Sequence, residues 1–138
     1  MTTDTIEVAQ TSKGQLWTGR ILTGLPVLFL LFDTVIHLIK VPPVVEALVQ
    51  LGYSPTLAQA LGVIELVCLA LYLVPRTSIL GAVLLTGYLG GAIASNLRVG
   101  NPLFSHVLFP VYVGVLLWAG LYLREPRLRG LFSRTVVY

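Results

Sequence analysis

Four stretches of about twenty predominantly apolar residues dominate this chain and leave it few ways to fold. They run from about Gly19 to Ile39, Thr56 to Val74, Ser78 to Leu97, and Leu103 to Leu123. Crossing the hydrocarbon of a bilayer as a helix takes roughly 20 such residues. Only 11% of the residues are charged and 56% are hydrophobic, whereas soluble domains carry about 25% charge. A water-soluble fold of 138 residues has too little interior to hide that much apolar surface. The pattern predicts an all-α transmembrane four-helix bundle: one membrane domain over residues 16–124, between a flexible tail (1–15) and a basic tail (125–138).

The connections fit four spans. Pro75-Arg76-Thr77 and Gly100-Asn101-Pro102 read as tight turns, with Thr77 or Ser78 placed to cap the third helix. The longer link from Lys40 to Pro55 holds Pro42-Pro43 and then Val44, Val45, Leu48, Val49 and Leu51. It reads as a short amphipathic helix lying at the surface, after which Gly52 and Pro55 turn the chain back. Lys13, Arg20, Arg76, Arg124, Arg127, Arg129 and Arg134 fall on the side holding both termini, against Lys40 and Arg98 on the other. The excess of basic residues predicts cytoplasmic termini, so the amphipathic helix is expected in the first extracytoplasmic loop. Trp17, Tyr72, Trp118 and Tyr122 sit near the same boundary, as an aromatic belt does. The expected location is the cell membrane, multi-pass, in a prokaryotic inner membrane. Met1 to Ser12 is polar, carries Asp4 and Glu7, and does not read as a cleavable signal peptide.

Charge and cysteine usage remove several function classes. The net charge of +3 comes from residues flanking apolar spans, which argues against a nucleic-acid partner. The arginines after the last span are placed to meet anionic lipid head groups. Cys68 is the only cysteine, so the chain has no internal disulfide and no CxxC pair.

Against this apolar background, the polar residues inside the spans stand out. A charge at bilayer depth is costly, so such residues face a bundle interior and have a partner or a task. At ~1.5 Å per residue, Asp33 lies roughly 9 Å and His37 roughly 3 Å below the outer end of the first span. Glu65 lies about 14 Å down, near the midplane. Asn96 and Arg98 end the third span, and His106 is one turn inside the fourth. These six residues collect in the outer half and predict a ligand pocket there. Asp33 and His37 stand at i, i+4 and share one helical face. Either the carboxylate orients the histidine for proton transfer or ligand binding, or the pair only locks helices together. Glu65 is expected either to work as an acid, paired with His37, His106 or Arg98, or to sit neutral against a backbone carbonyl. Pro110 lacks an amide hydrogen and deprives the His106 carbonyl of its helical partner; Pro26 disturbs the first span in the same way. Two histidines alone are a weak basis for haem. The ligand types Asp33, His37, Glu65 and His106 suit a metal, but no spacing motif defines such a site and none is assigned.

Gly87, Gly91 and Ser95 form a small-residue stripe, able to bring two helices close within the chain or between two copies. From Gly19 to Arg124 the chain resembles the DoxX-like family of small four-helix membrane proteins. The resemblance rests on Leu61-Gly-Val-Ile-Glu65, Pro75 with Gly81-Ala82, Asn101-Pro102-Leu-Phe-Ser-His106-Val-Leu-Phe-Pro110, and Leu117-Trp118-Ala-Gly-Leu-Tyr-Leu-Arg124. It implies quinone-linked redox chemistry by analogy with the subunit that names the family. Sulfur oxidation by the chain itself would want a reactive thiol in a polar setting, and Cys68 sits mid-span among apolar residues. Three functional readings follow. The first is an accessory subunit binding a small lipophile, with quinone as the class the resemblance implies and a membrane redox partner. The second is a membrane enzyme using Glu65 and Asp33/His37 as acid and base. The third is an assembly subunit held through the glycine stripe.

Overall fold

The structure, a computed structural model, describes residues 11–133; Asp4, Glu7 and Arg134 of the expected tails lie outside it. Six helices follow one another with no strand among the described residues. They are α1 (Lys13–Leu38), α2 (Pro42–Gln50), α3 (Leu57–Leu73), α4 (Ser78–Arg98), α5 (Phe109–Arg124) and α6 (Pro126–Phe132). A π-helical turn, Leu103–Val107, leads into α5. Lys13–Leu38, Ser78–Arg98 and Leu103–Arg124 are long and apolar enough to cross a membrane, and Leu57–Leu73 is apolar but shorter. The all-helical membrane architecture expected from the sequence is therefore present. The helix count is six, because α2 and α6 add short helices to the four that pack as a bundle. Around that bundle α1 contacts α3 and α5, and α4 contacts the same two.

Local chemistry sets the boundaries. The Ser12 hydroxyl accepts from the Gln15 amide at 3.1 Å while the Gln15 side chain accepts from the Ser12 amide at 3.2 Å. This reciprocal cap satisfies two donors that a helix start leaves open, so α1 begins at Lys13, well ahead of the apolar run. Thr77 and Ser78 do not cap α4 as expected. Thr77 turns its hydroxyl back to the Leu71 carbonyl at 2.8 Å, and Ser78 bonds the Pro75 carbonyl at 3.2 Å. The first ties the turn to the helix just ended, and the second ties the start of α4 to the turn. α2 is the expected amphipathic helix, burying Val44 and Leu48 against Ala58 at the start of α3. α6 falls in the segment expected as a basic tail. Pro126 occupies its first turn, where the missing amide costs nothing, and Glu125 accepts from the Arg127 amide at 3.1 Å.

The half of the bundle nearest the termini is solidly packed. Leu69, Tyr72, Leu85, Leu117 and Leu121 are each 1% exposed or less. Tyr72 donates its buried hydroxyl to the Leu117 carbonyl at 2.6 Å, and the Arg124 guanidinium lies 5.1 Å from its ring centre. Helices come closest at glycines: a Cβ on Gly81 would land on the Tyr72 backbone, and one on Gly19 would sit 3.0 Å from the Gly120 carbonyl. Outward faces are apolar, as at Leu28 and Phe32, both more than 60% exposed. A water-facing monomer rarely shows that much contiguous apolar surface, whereas lipid is a suitable solvent for it.

Arginines tie this end together. Arg129 donates to the carbonyls of Tyr122 and Leu123 at 2.9 and 2.7 Å, Arg124 donates to the Thr23 hydroxyl at 3.1 Å, and Arg127 bonds the Pro75 carbonyl. Arg127 also pairs with Glu125 at 2.9 Å and holds that carboxyl below its ordinary 4.5 by hydrogen bonding to it. These cations, expected at lipid head groups, thus serve carbonyls and side chains of the protein itself.

Candidate functional site

The other half of the bundle is not solid. It encloses a partly open cavity of about 450 Å³, lined by every helix of the bundle, by α2 with the loop after it, and by the π turn. Phe29, Asp33 and His37 come from α1, and Leu61 and Glu65 from α3. Gly87, Tyr88, Gly91, Ser95 and Asn96 come from α4, and Ser105, His106, Phe109 and Pro110 from the chain around the start of α5. Leu48, Leu51 and Tyr53 close the end, held there by the Tyr53 hydroxyl, 2.6 Å from that of Ser95.

One wall concentrates the ionisable groups. One ligand-type atom each from Asp33, His37 and Glu65 lies within 4.8 Å of the others. His37 Nδ1 is 2.8 Å from the backbone carbonyl of Asp33 and 3.3 Å from its carboxylate. A carbonyl only accepts, so Nδ1 carries the hydrogen, and the tautomer this selects has its lone pair on Nε2. Glu65 is fully buried, and neither of its carboxyl oxygens has a hydrogen-bond partner among the described residues. The buried Thr34 hydroxyl beside Asp33 in the chain is likewise unpartnered among them. Native structures satisfy the large majority of such groups, which marks this wall as unusual.

Other expected site residues are placed differently. Arg98 does not line the cavity. Its guanidinium reaches the Leu51 carbonyl and lies against Gly52, where a Cβ would be 2.8 Å from Nη2. The expected pairing of Arg98 with Glu65 is replaced by a tie between α4 and the loop after α2. Asn96 lines the cavity, but its amide donates to the Ala92 carbonyl at 2.9 Å and its oxygen accepts from Asn101 at 2.7 Å. His106 lines the cavity with Nδ1 2.8 Å from the Ser105 hydroxyl. It sits in the π turn instead of a continuous fourth helix. Pro110 falls in the first turn of α5, a position that needs no amide hydrogen, and the irregularity expected at His106 takes the form of the π turn.

The glycine stripe also has another role. A Cβ on Gly87 or Gly91 would meet nothing within 4 Å, so no helix of this chain is seated against them and they leave room in the cavity. Tyr88, Tyr53 and Ser105 were missed from sequence. Tyr88 carried a usable signal, because tyrosine favours membrane interfaces and this one lies mid-span.

The family model for the DoxX-like family matches residues 21–120. The chain belongs to the DoxX-like family. Comparisons with curated proteins and with solved structures give no match. Family membership together with the apolar helices makes this DoxX-like chain a membrane protein in contact with the lipid bilayer. Chemically, its cavity offers an apolar body for a hydrophobic ligand and one polar wall of two carboxyls and an imidazole. The imidazole and carboxyls are also the donor types able to hold a metal ion.

Proposed function

We propose that this DoxX-like protein binds a small lipophilic molecule with a polar head, as an accessory subunit to membrane redox chemistry. The observation that carries the reading is the apolar cavity with the buried, unpartnered carboxyl of Glu65 on its wall. Ligand sites are mostly apolar concavities with a few convergent polar groups, and an unpartnered buried carboxyl gains most from a ligand that bonds to it. Quinones are the class suggested by the family resemblance, their carbonyl oxygens facing Glu65, Tyr88 or His37 and the tail lying among Phe29, Leu61 and Phe109. On this reading the chain is a multi-pass protein of a prokaryotic inner membrane, with its termini in the cytoplasm and the cavity in the outer half.

Native mass spectrometry of gently extracted protein tests it. Wild-type protein is expected to retain a defined lipophile, and alanine at Asp33, His37, Glu65 and His106 together to lower retention at least tenfold. Retention unchanged in that variant overturns the reading. A second reading is favoured by the His37 contact to Asp33: an enzyme in which this pair acts as base and Glu65 as acid. It requires Glu65→Gln to abolish turnover of a lipophilic substrate while the fold persists.

A further inference from the structure

We propose that Asp33, His37 and Glu65 form a binding site for one divalent first-row transition-metal ion. Three observations converge on it. The three side chains present ligand atoms within 4.8 Å of one another, from two different helices. Glu65 is fully buried with both oxygens unpartnered among the described residues, so it has coordination capacity that these residues leave unused. His37 holds one ring N–H against a backbone carbonyl, the outer contact typical of metal-bound histidines, which leaves Nε2 as the nitrogen to bind an ion.

A cation would also balance the charge. Two carboxylates on one wall inside a bilayer repel each other and are poorly solvated, and the arginine at this end of the bundle, Arg98, is bonded elsewhere. A divalent ion with two carboxylates and a neutral imidazole sums to zero. Size is also suitable: donors around a tetrahedral ion with bonds of about 2.1 Å stand about 3.4 Å apart. A pair at the 4.8 Å limit would have to close by about 1.4 Å to reach that spacing. An O,O,N donor set suits zinc, iron(II) or manganese(II) and disfavours copper(I), which prefers sulfur. Three protein ligands leave a coordination position facing the cavity, where water or the polar head of a ligand would complete the shell.

The site shares a cavity with the lipophile reading but does not depend on it. The test uses full-length protein in mild detergent, washed with chelator and titrated with Co²⁺ alone. One Co²⁺ per chain is expected, with the visible absorption of a four- or five-coordinate ion, displaced by Zn²⁺. Glu65→Gln and Asp33→Asn are each expected to weaken binding at least tenfold, while Glu46→Gln, exposed on α2 and outside the cavity, stays within threefold of wild type. Elution volume and circular dichroism establish that each variant is folded; should Glu65→Gln misfold, Asp33→Asn and His37→Gln carry the same expectation at partly exposed positions. Absence of stoichiometric Co²⁺, or binding that survives loss of either carboxylate, overturns the proposal and leaves protons as the counter-charge. Lipophile retention is scored on the same chelator-washed sample. Co²⁺ binding without a lipophile counts against the previous reading alone, and a lipophile without Co²⁺ against this one alone.

Discussion

Gly81 and Gly87 lie on the same helix, and the same substitution at each should have opposite effects. At Gly81 the added methyl would fall on backbone atoms of Tyr72. Backbone cannot step aside as a side chain does, so the cost lies at the upper end of the ~1–3 kcal/mol typical of overpacking. The better helix propensity of alanine offsets about 1 kcal/mol of it, leaving Gly81→Ala destabilised by about 2 kcal/mol. At Gly87 the methyl enters open space, and only the propensity gain of up to ~1 kcal/mol remains. The two variants should therefore differ by about 3 kcal/mol, roughly a hundredfold or more in the unfolding equilibrium. Reversible unfolding in mixed micelles of mild detergent and sodium dodecyl sulfate, followed by far-ultraviolet circular dichroism, measures both. If Gly87→Ala is as damaging as Gly81→Ala, something packs against Gly87. The assignment of the glycine stripe to a cavity wall would then be wrong, and a second copy seated there becomes the better account.

Three further outcomes are expected. Tyr72→Phe removes the hydroxyl that donates to the Leu117 carbonyl in the packed half and should lower stability by about 1–2 kcal/mol in the same assay. Gly52→Ala places a side chain at φ +84° and against the Arg98 guanidinium, and should cost about 1–3 kcal/mol while raising amide exchange in Pro42–Gln50; unchanged exchange would refute the tie between Arg98 and that loop. The folded-state pKa of Glu125 is depressed by Arg127, so its contribution is present above the ordinary value of 4.5 and is lost as pH falls through the lower folded value. Amide exchange of Pro126–Phe132, corrected for intrinsic rates, should accelerate in that acid range in wild type and show no such step in Glu125→Gln.

The long-range layout was legible because lipid imposes a single rule on length and polarity. Asp33, His37 and Glu65 could be assigned to one pocket from helical rise alone, since polar residues in the same half of a four-helix bundle have few places to go. What failed was direction. Arg98 is at the right end for Glu65, but a long flexible side chain goes to the nearest open carbonyl, here that of Leu51. Gly87 and Gly91 have the spacing of a close-packed seam, yet spacing does not say whether the facing volume holds a helix or a cavity. Proline at 110 signalled an opened turn at the His106 carbonyl, and His106 does lie in the irregular turn Leu103–Val107, but nothing in the sequence said that the turn would be π-helical. Thr77 illustrates the same ambiguity at a turn, where a hydroxyl serves the helix behind as readily as the one ahead.

The arginines at the termini end carry two kinds of information in the same atoms. Their charge contributes to the count on which insertion direction depends, while their forked donors join the last turn of α5, the Pro75 turn and the N-terminal segment. Lysine has the charge but only a point donor. Arg127→Lys and Arg129→Lys would therefore preserve the topological signal read during insertion and dissolve the stitching made afterwards, so that biogenesis and rigidity at this end become separately adjustable.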